Sequence, residues 1–327
     1  MILLKQHKSK MKVIDILNGN HKPFASFELV PPLKGSDINK LYNSIEPLME
    51  FNPPFINMTA HRDEIEYRQT PDGTYRQVTV SKRPGSVAIA AAIMKKFNVE
   101  VVPHVICGGS TKEEIENILL DLNFLGIQNV VALRGDAIVG EKYFSPTPGG
   151  HAHSNALVEQ INNMNKGIYL DETLKNPVPT NFCIGVAGYP EKHVEAANLS
   201  TDIEYLKQKV DAGADYIVTQ MFFDNSKYYE FTEKCRAAGI TVPIVPGLKP
   251  ISTHKHIEML PQAFSIDLPV ELMSEIKKCK DNAAIYRVGV EWCTMQCKDL
   301  LNNGAKIIHF YTMGKADNIK EIIRNSF

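Results

Sequence analysis

Four segments of the chain repeat one pattern. "LGIQNVVALRGD", "AGADYIVTQMFF", "AGITVPIVPGLKP" and "NGAKIIHFYTM" each place a glycine, a short turn and then a β-branched apolar run. The glycines are Gly126, Gly213, Gly239 and Gly304. Glycine just past a helix takes the left-handed cap conformation without steric cost. The runs that follow are too continuously apolar for strands with one wet face, and suit a parallel sheet covered by helices. The preceding segments read as those helices. From Thr111 onward, Ile115, Ile118, Leu119, Leu122 and Leu125 share one face. Ser110 with Glu113, or Thr111 with Glu114, offers a capping box. Between residues 202 and 212, Ile203, Leu206 and Val210 form a second face.

Strand-like runs occur at 24–30, 55–60, 99–107, 130–133, 182–187, 216–222, 242–246 and 306–311, with helical patterns between them. Eight such units in roughly 300 residues predict a single-domain (β/α)8 TIM barrel. A doubly wound open sheet is the competing architecture, weakened because no GxGxxG follows the first run. The stretch 137–179, rich in Pro, Gly, His and Asn, reads as a long loop and helix with an exposed insertion around 166–179.

Lysine plus arginine number 36 against 37 aspartate plus glutamate, a net charge of -1. That argues against a dedicated nucleic-acid binder. No apolar run approaches the roughly 18 residues of a membrane span, and the start "MILLKQHKSKMK" is too short for a signal-peptide core. The expected division is an N-terminal tail over residues 1–11, with Met11 a candidate start, and a catalytic domain over 12–327, in the cytoplasm. The six cysteines form no CxxC pair and read as ordinary buried thiols, with no metal site expected.

Barrels of this kind carry their working residues at the C-terminal ends of strands. Here those ends hold Glu28; Thr59 with His61 and Arg62; His104 and Cys107; Arg134, Gly135 and Asp136; Tyr189, Glu191 and His193; Gln220; Lys249; and Tyr311 with Thr312. Singly, each has an ordinary reading: His104 a bonded core histidine, Gln220 a sheet-end amide, Arg134 and Asp136 a salt bridge. Together at one rim they mark an active site. Glu28, in "ASFELVPP", lies among Phe24, Phe27, Leu29 and Val30. Apolar neighbours raise a carboxyl pKa by desolvation, so the expectation is that Glu28 stays protonated and acts as an acid.

"SFELVPP", "PHVIC", "NVVALRGD", "GYPEKH", "KVDAGADYIVTQMFFD", "PIVPGLKP" and "HFYTM" occur in this order. In this the chain resembles methylenetetrahydrofolate reductases, specifically the bacterial-type catalytic domain, from about Lys12 to Phe327. The resemblance implies a barrel with bound FAD. It also implies reduction of 5,10-methylenetetrahydrofolate to 5-methyltetrahydrofolate by NADH or NADPH, in one-carbon metabolism and methionine supply. A homo-oligomer without nucleic-acid or membrane partners is expected. By the same resemblance, Glu28 is the general acid that protonates N10, and Asp136 lies near the pterin and flavin N1. Gln220 and Arg287 contact folate. Thr59, His104, Arg134, Gly135, Asp136, Tyr189, His193, Asp202 and Lys209 contact the flavin, with His153 and Ser154 in the place of a Tyr-Ala pair. The family's Thr-Tyr-Gly reads Thr59-Ala60-His61, the loop from there to Pro84 is rewritten with charges, and an aromatic expected near Leu260 is aliphatic.

The chemistry is consistent with those roles. Protonating one nitrogen of the bridged ring opens it to a cationic iminium that accepts hydride. Asp136, kept ionised with help from Arg134, would stabilise that cation, and Lys209 with helix-start amides would meet a pyrophosphate. Two other functions stay open: a folate- or pterin-binding barrel that transfers methyl groups without flavin, and a lyase or aldolase. The second would want a Schiff-base lysine on an inner strand, whereas Lys249 falls past its strand.

Overall fold

The computed structural model describes residues 11–19, 21–138, 140–141 and 143–327. All of the expected N-terminal tail except Met11 lies outside the described residues. In chain order the strands are β1 (Phe24–Leu29), β2 (Phe55–Met58), β3 (Glu64–Gln69), β4 (Tyr75–Val80), β5 (Glu100–Ile106), β6 (Asn129–Leu133), β7 (Cys183–Gly188), β8 (Tyr216–Thr219), β9 (Ile244–Val245), β10 (Gly247–Leu248) and β11 (Ile307–Tyr311).

The main sheet runs β10-β11-β1-β2-β5-β6-β7-β8-β9, each neighbour parallel. Its two end strands flank Pro246, which has no N–H to give a ladder. β9 pairs with β8 and β10 with β11, so they are halves of one strand whose break closes the ring. The backbone N–H of His309 donates to Pro246 O at 2.9 Å across that break. The result is a (β/α)8 barrel, with all eight expected strands in place.

The helices form where the sequence patterns put them. Lys112–Phe124 starts on a capping box of Thr111 and Glu114 and buries Ile115, Leu119 and Leu122, each contributing about 1.5–3 kcal/mol. Leu125 lies just past this helix and is 40% exposed, because the chain turns there. Leu199–Asp211 buries Ile203 and Leu206. Gly126, Gly213, Gly239 and Gly304 all have positive φ, between 72° and 120°. Helix Ser154–Met164 follows the long loop after β6, and residues 171–179 are exposed throughout.

Alternation along each strand separates two cores. Phe27, Leu29, Ile56 and Met58 face the helix layer. Phe55, Val102, Val131, Cys183, Tyr216, Val245 and Ile307 fill the barrel's interior, joined by Val13, Ile16 and Leu17 of a short helix, Val13–Asn18. The interior therefore ends, toward the C-terminal rim, in polar side chains. Five cysteines are buried and Cys279 is half-buried.

The segment after β2 is more than a rewritten loop. β3 and β4 form an antiparallel hairpin outside the barrel sheet, turned at Thr70-Pro71-Asp72-Gly73. The Pro-Asp-Gly turn between alternating strands is a readable hairpin signal.

Candidate active site

Glu28 is an inward position of β1, two residues on from Ser26. It is paired in register with Asn57 on one side and Tyr311 on the other. Its carboxylate Oε2 lies 3.6 Å from His104 Nε2 and 3.9 Å from His309 Nε2, with its side chain 18% exposed. Ser26 Oγ and His309 Nδ1 are hydrogen-bonded at 2.9 Å. With the hydroxyl donating, the ring proton of His309 sits on Nε2, toward Glu28.

This corrects the expected protonation state. Burial pushes the Glu28 pKa up, but the imidazoles of His309, His104 and His61 pull it down, and the net effect lowers it from the ordinary carboxyl value. Phe27 and Leu29, adjacent in sequence, point to the opposite face of the strand, so the residues that touch Glu28 are polar. His104, buried, is shifted below its ordinary value chiefly by desolvation, against the pull of Glu28.

The ordinary reading of Arg134 and Asp136, a salt bridge between them, is not seen among the described residues. Arg134 makes a bidentate pair with Glu195, at 2.6 and 2.7 Å, and lies over the Phe144 ring at 4.9 Å. Asp136 is exposed; its charge opposes the burial that lowers the His61 pKa and adds to the burial that raises that of Tyr189. Between them Gly135 has φ +86°, and an added Cβ would sit 3.4 Å from Ile106.

Tyr189, His193, Asp202 and Lys209 form one group with Arg134. Tyr189 and His193 meet edge to face at 4.8 Å. The Asp202 carboxylate accepts from His193 N at 2.9 Å. Lys209, in the last turn of its helix, donates to Ala187 O at 3.0 Å. Desolvation lowers its pKa to about 8 against the pull of Asp202. Burial pushes the Tyr189 hydroxyl up to about 12. His153 stands exposed at the start of helix Ser154–Met164, near enough for its charge to lower the Glu195 pKa, and Ser154 is buried. Thr59 Oγ1 bonds His61 Nε2 at 3.0 Å.

Gln220 Oε1 accepts from Met221 N at 2.9 Å, which leaves its amide nitrogen to donate. Arg287 is not brought into this group. It is exposed and lines a shallow groove with Glu275, Lys278, Cys279, Asp281 and Glu291. Leu260 is fully buried with Met221, Phe223 and Ile266, so that position packs the core instead of facing a ligand.

Sequence reasoning missed Ser26, His309 and Glu195. Alternation from Glu28 and Tyr311 was the available signal for the first two; nothing local marks Glu195. Eight buried side-chain polar atoms lack a hydrogen-bond partner among the described residues. Six lie at this rim: Asn57 Oδ1, Arg62 Nε and Nη1, His104 Nε2, Glu191 Oε1 and His309 Nε2. Orphaned buried polar groups are rare, and their gathering at one end fits a large hydrogen-bonding ligand. The cations Arg62, Arg134 and Lys209 on the same rim suit a phosphate-bearing one such as a flavin dinucleotide.

The sequence model of the family described as Methylenetetrahydrofolate reductase matches residues 12–326. Methylenetetrahydrofolate reductase (NADH) 1 of Arabidopsis thaliana is 33% identical over 328 residues, covering 96% of this chain and 50% of its own length. 5,10-Methylenetetrahydrofolate reductase of Escherichia coli strain K12 is 30% identical over 293 residues, covering 89% of this chain and 86% of its own. The chain spans about half the length of the plant relatives it matches. A solved Clostridium thermocellum protein that binds two copies of 5-methyl-5,6,7,8-tetrahydrofolic acid superposes with a TM-score of 0.54. It covers 95% of this chain and 96% of its own at 14% identity, a likeness of fold.

Proposed function

The chain belongs to the methylenetetrahydrofolate reductase family, and on that premise we propose that it reduces 5,10-methylenetetrahydrofolate to 5-methyltetrahydrofolate with bound FAD and NADH or NADPH as donor. The observation that carries this reading is the carboxylate of Glu28 held between the buried rings of His104 and His309 at the barrel's polar rim.

FAD supplies the hydride chemistry when bound. The chain's residues bind, orient and move a proton. Glu28 delivers the proton to N10 that opens the bridged ring. Because its carboxyl is ionised at neutral pH in the uncovered site, that proton is taken up from solvent. A substrate covering the rim removes water from Glu28 and strengthens the desolvation that favours the protonated form. The carboxylate of Asp136 faces the cation formed on ring opening. The amide nitrogen of Gln220 donates to an acceptor on the pterin edge. Arg134, Tyr189, His193, Asp202 and Lys209, with Thr59, Gly135, His153 and Ser154, hold the cofactor. The two-part division at residue 12, a cytoplasmic location and a homo-oligomer belong to the same reading. Among the described residues no helix is long and apolar enough to cross a membrane.

The test is anaerobic. Purified protein should carry a flavin spectrum that bleaches with NADH or NADPH and returns on adding methylenetetrahydrofolate. A colourless protein that still binds folate would point instead to methyl transfer without flavin.

A further inference from the structure

A second charged group lies at the same end of the barrel, beyond the residues assigned above. Lys249 directly follows β10 and is only 4% exposed. Among the described residues the ionisable groups that act on it are Lys315 and the Cys293 thiol, with no carboxylate. His256 lies in the first turn of helix His254–Phe264, and the charges that act on it are Lys249 and Lys315. Its Nδ1 accepts from Ser252 N at 3.3 Å, so its proton is on Nε2, free to donate. Lys315 is exposed on the loop after β11. That loop is tied to the catalytic strand: Lys315 N donates to Thr312 O, and Thr312 Oγ1 donates to Glu28 O at 2.8 Å.

A buried cation without a counter-ion costs stability. Burial and Lys315 lower the Lys249 pKa to about 8, and burial with both lysines lowers His256 to about 4. Such a group persists where a ligand supplies the missing charge. Its position matches a recurring one: in these barrels the loops after the seventh and eighth strands, with the N-terminus of a short extra helix, commonly bind phosphate.

We propose that Lys249, His256 and Lys315 form an oxyanion-recognition site that holds the charged end of a ligand whose reacting ring lies at Glu28. The oxyanion is either a phosphate of the dinucleotide donor or the carboxylates of the folate's glutamate tail. The inference rests on the functional reading above and adds the residues that recognise charge.

Calorimetric Kd values for NADH, NADPH, tetrahydrofolate and tail-less 6-methyltetrahydropterin, on holoenzyme whose flavin has first been reduced anaerobically with dithionite, test it with the Lys249→Met and Lys315→Met variants. The expected result is a roughly ten- to hundredfold weaker Kd for the ligand that supplies the anion, reduced by salt in the wild type. Weakening of NADPH beyond NADH identifies a 2′-phosphate, and equal weakening of both identifies the shared diphosphate. Weakening of tetrahydrofolate with 6-methyltetrahydropterin unaffected identifies the tail carboxylates. Lys249→Met should keep or raise Tm, whereas a purely structural lysine would lower it. Lys315→Met, at an exposed position, serves if Lys249→Met fails to fold. Values within about twofold of wild type for all four ligands would overturn the proposal alone. Wild-type protein that binds neither folate nor dinucleotide would overturn the functional reading along with it.

Discussion

Glu28→Gln preserves the side chain's shape and removes its proton. If Glu28 delivers the proton to N10, folate reduction should fall by about 10²–10⁴-fold, about 3–5 kcal/mol of barrel-supplied barrier lowering at 1.36 kcal/mol per decade. Flavin reduction by the dinucleotide takes no proton from Glu28 and should change by less than about threefold. The structure adds a pH signature. With its pKa held below the ordinary carboxyl value by the neighbouring imidazoles, Glu28 is ionised in most of the free enzyme at pH 7. The kcat/KM for reoxidation by methylenetetrahydrofolate should therefore fall about tenfold per unit as pH rises from 6 to 8. Stopped-flow reoxidation of anaerobically reduced enzyme measures both quantities. A variant within tenfold of wild type, or a pH-independent wild type, would refute the reasoning. Stability runs the opposite way with pH. A carboxyl whose folded pKa is lowered stabilises above its unfolded value of about 4.5 and loses that contribution as pH falls through the folded value. The Tm difference between wild type and Glu28→Gln should close in that acid range.

Asp136→Asn should raise the flavin midpoint potential and slow folate reduction more than flavin reduction, since a carboxylate there disfavours the anionic reduced flavin; spectroelectrochemistry showing no shift would separate Asp136 from the cofactor. Gln220→Ala should weaken folate binding by the roughly 0.5–1.5 kcal/mol of one hydrogen bond with flavin content unchanged, and a fall in Tm without a binding defect would instead mark a structural amide. Gly185→Ala should lower stability by about 1–3 kcal/mol, because the new methyl would lie 2.5 Å from Cζ of Tyr216 inside the barrel; a denaturant midpoint equal to wild type would contradict the packing described.

The barrel was legible from local rules. Helix-ending glycines, capping residues and continuous apolar runs act over a few residues, so they can be read along the chain, and the strands appear where those signals put them. The hairpin of β3 and β4 was equally local and was overlooked among its charges. Within the site, the rim position of Glu28, Arg134, Tyr189 and Gln220 also follows from strand order alone.

What the sequence by itself determined was which residues reach one end of the barrel. Only the tertiary structure decided what each one meets there. Glu28 sits among apolar residues in the chain, yet period-two alternation turns its immediate neighbours Phe27 and Leu29 to the other face, and closure of the ring brings in His104 from β5 and His309 from β11. Arg134 lies two residues from Asp136 but pairs with Glu195, 61 positions away. Lys249 and Lys315 follow β10 and β11, which are far apart in the chain but paired in the sheet. Electrostatics depends on distance through space, and in a closed barrel the nearest charges are contributed by neighbouring strands far apart in the chain.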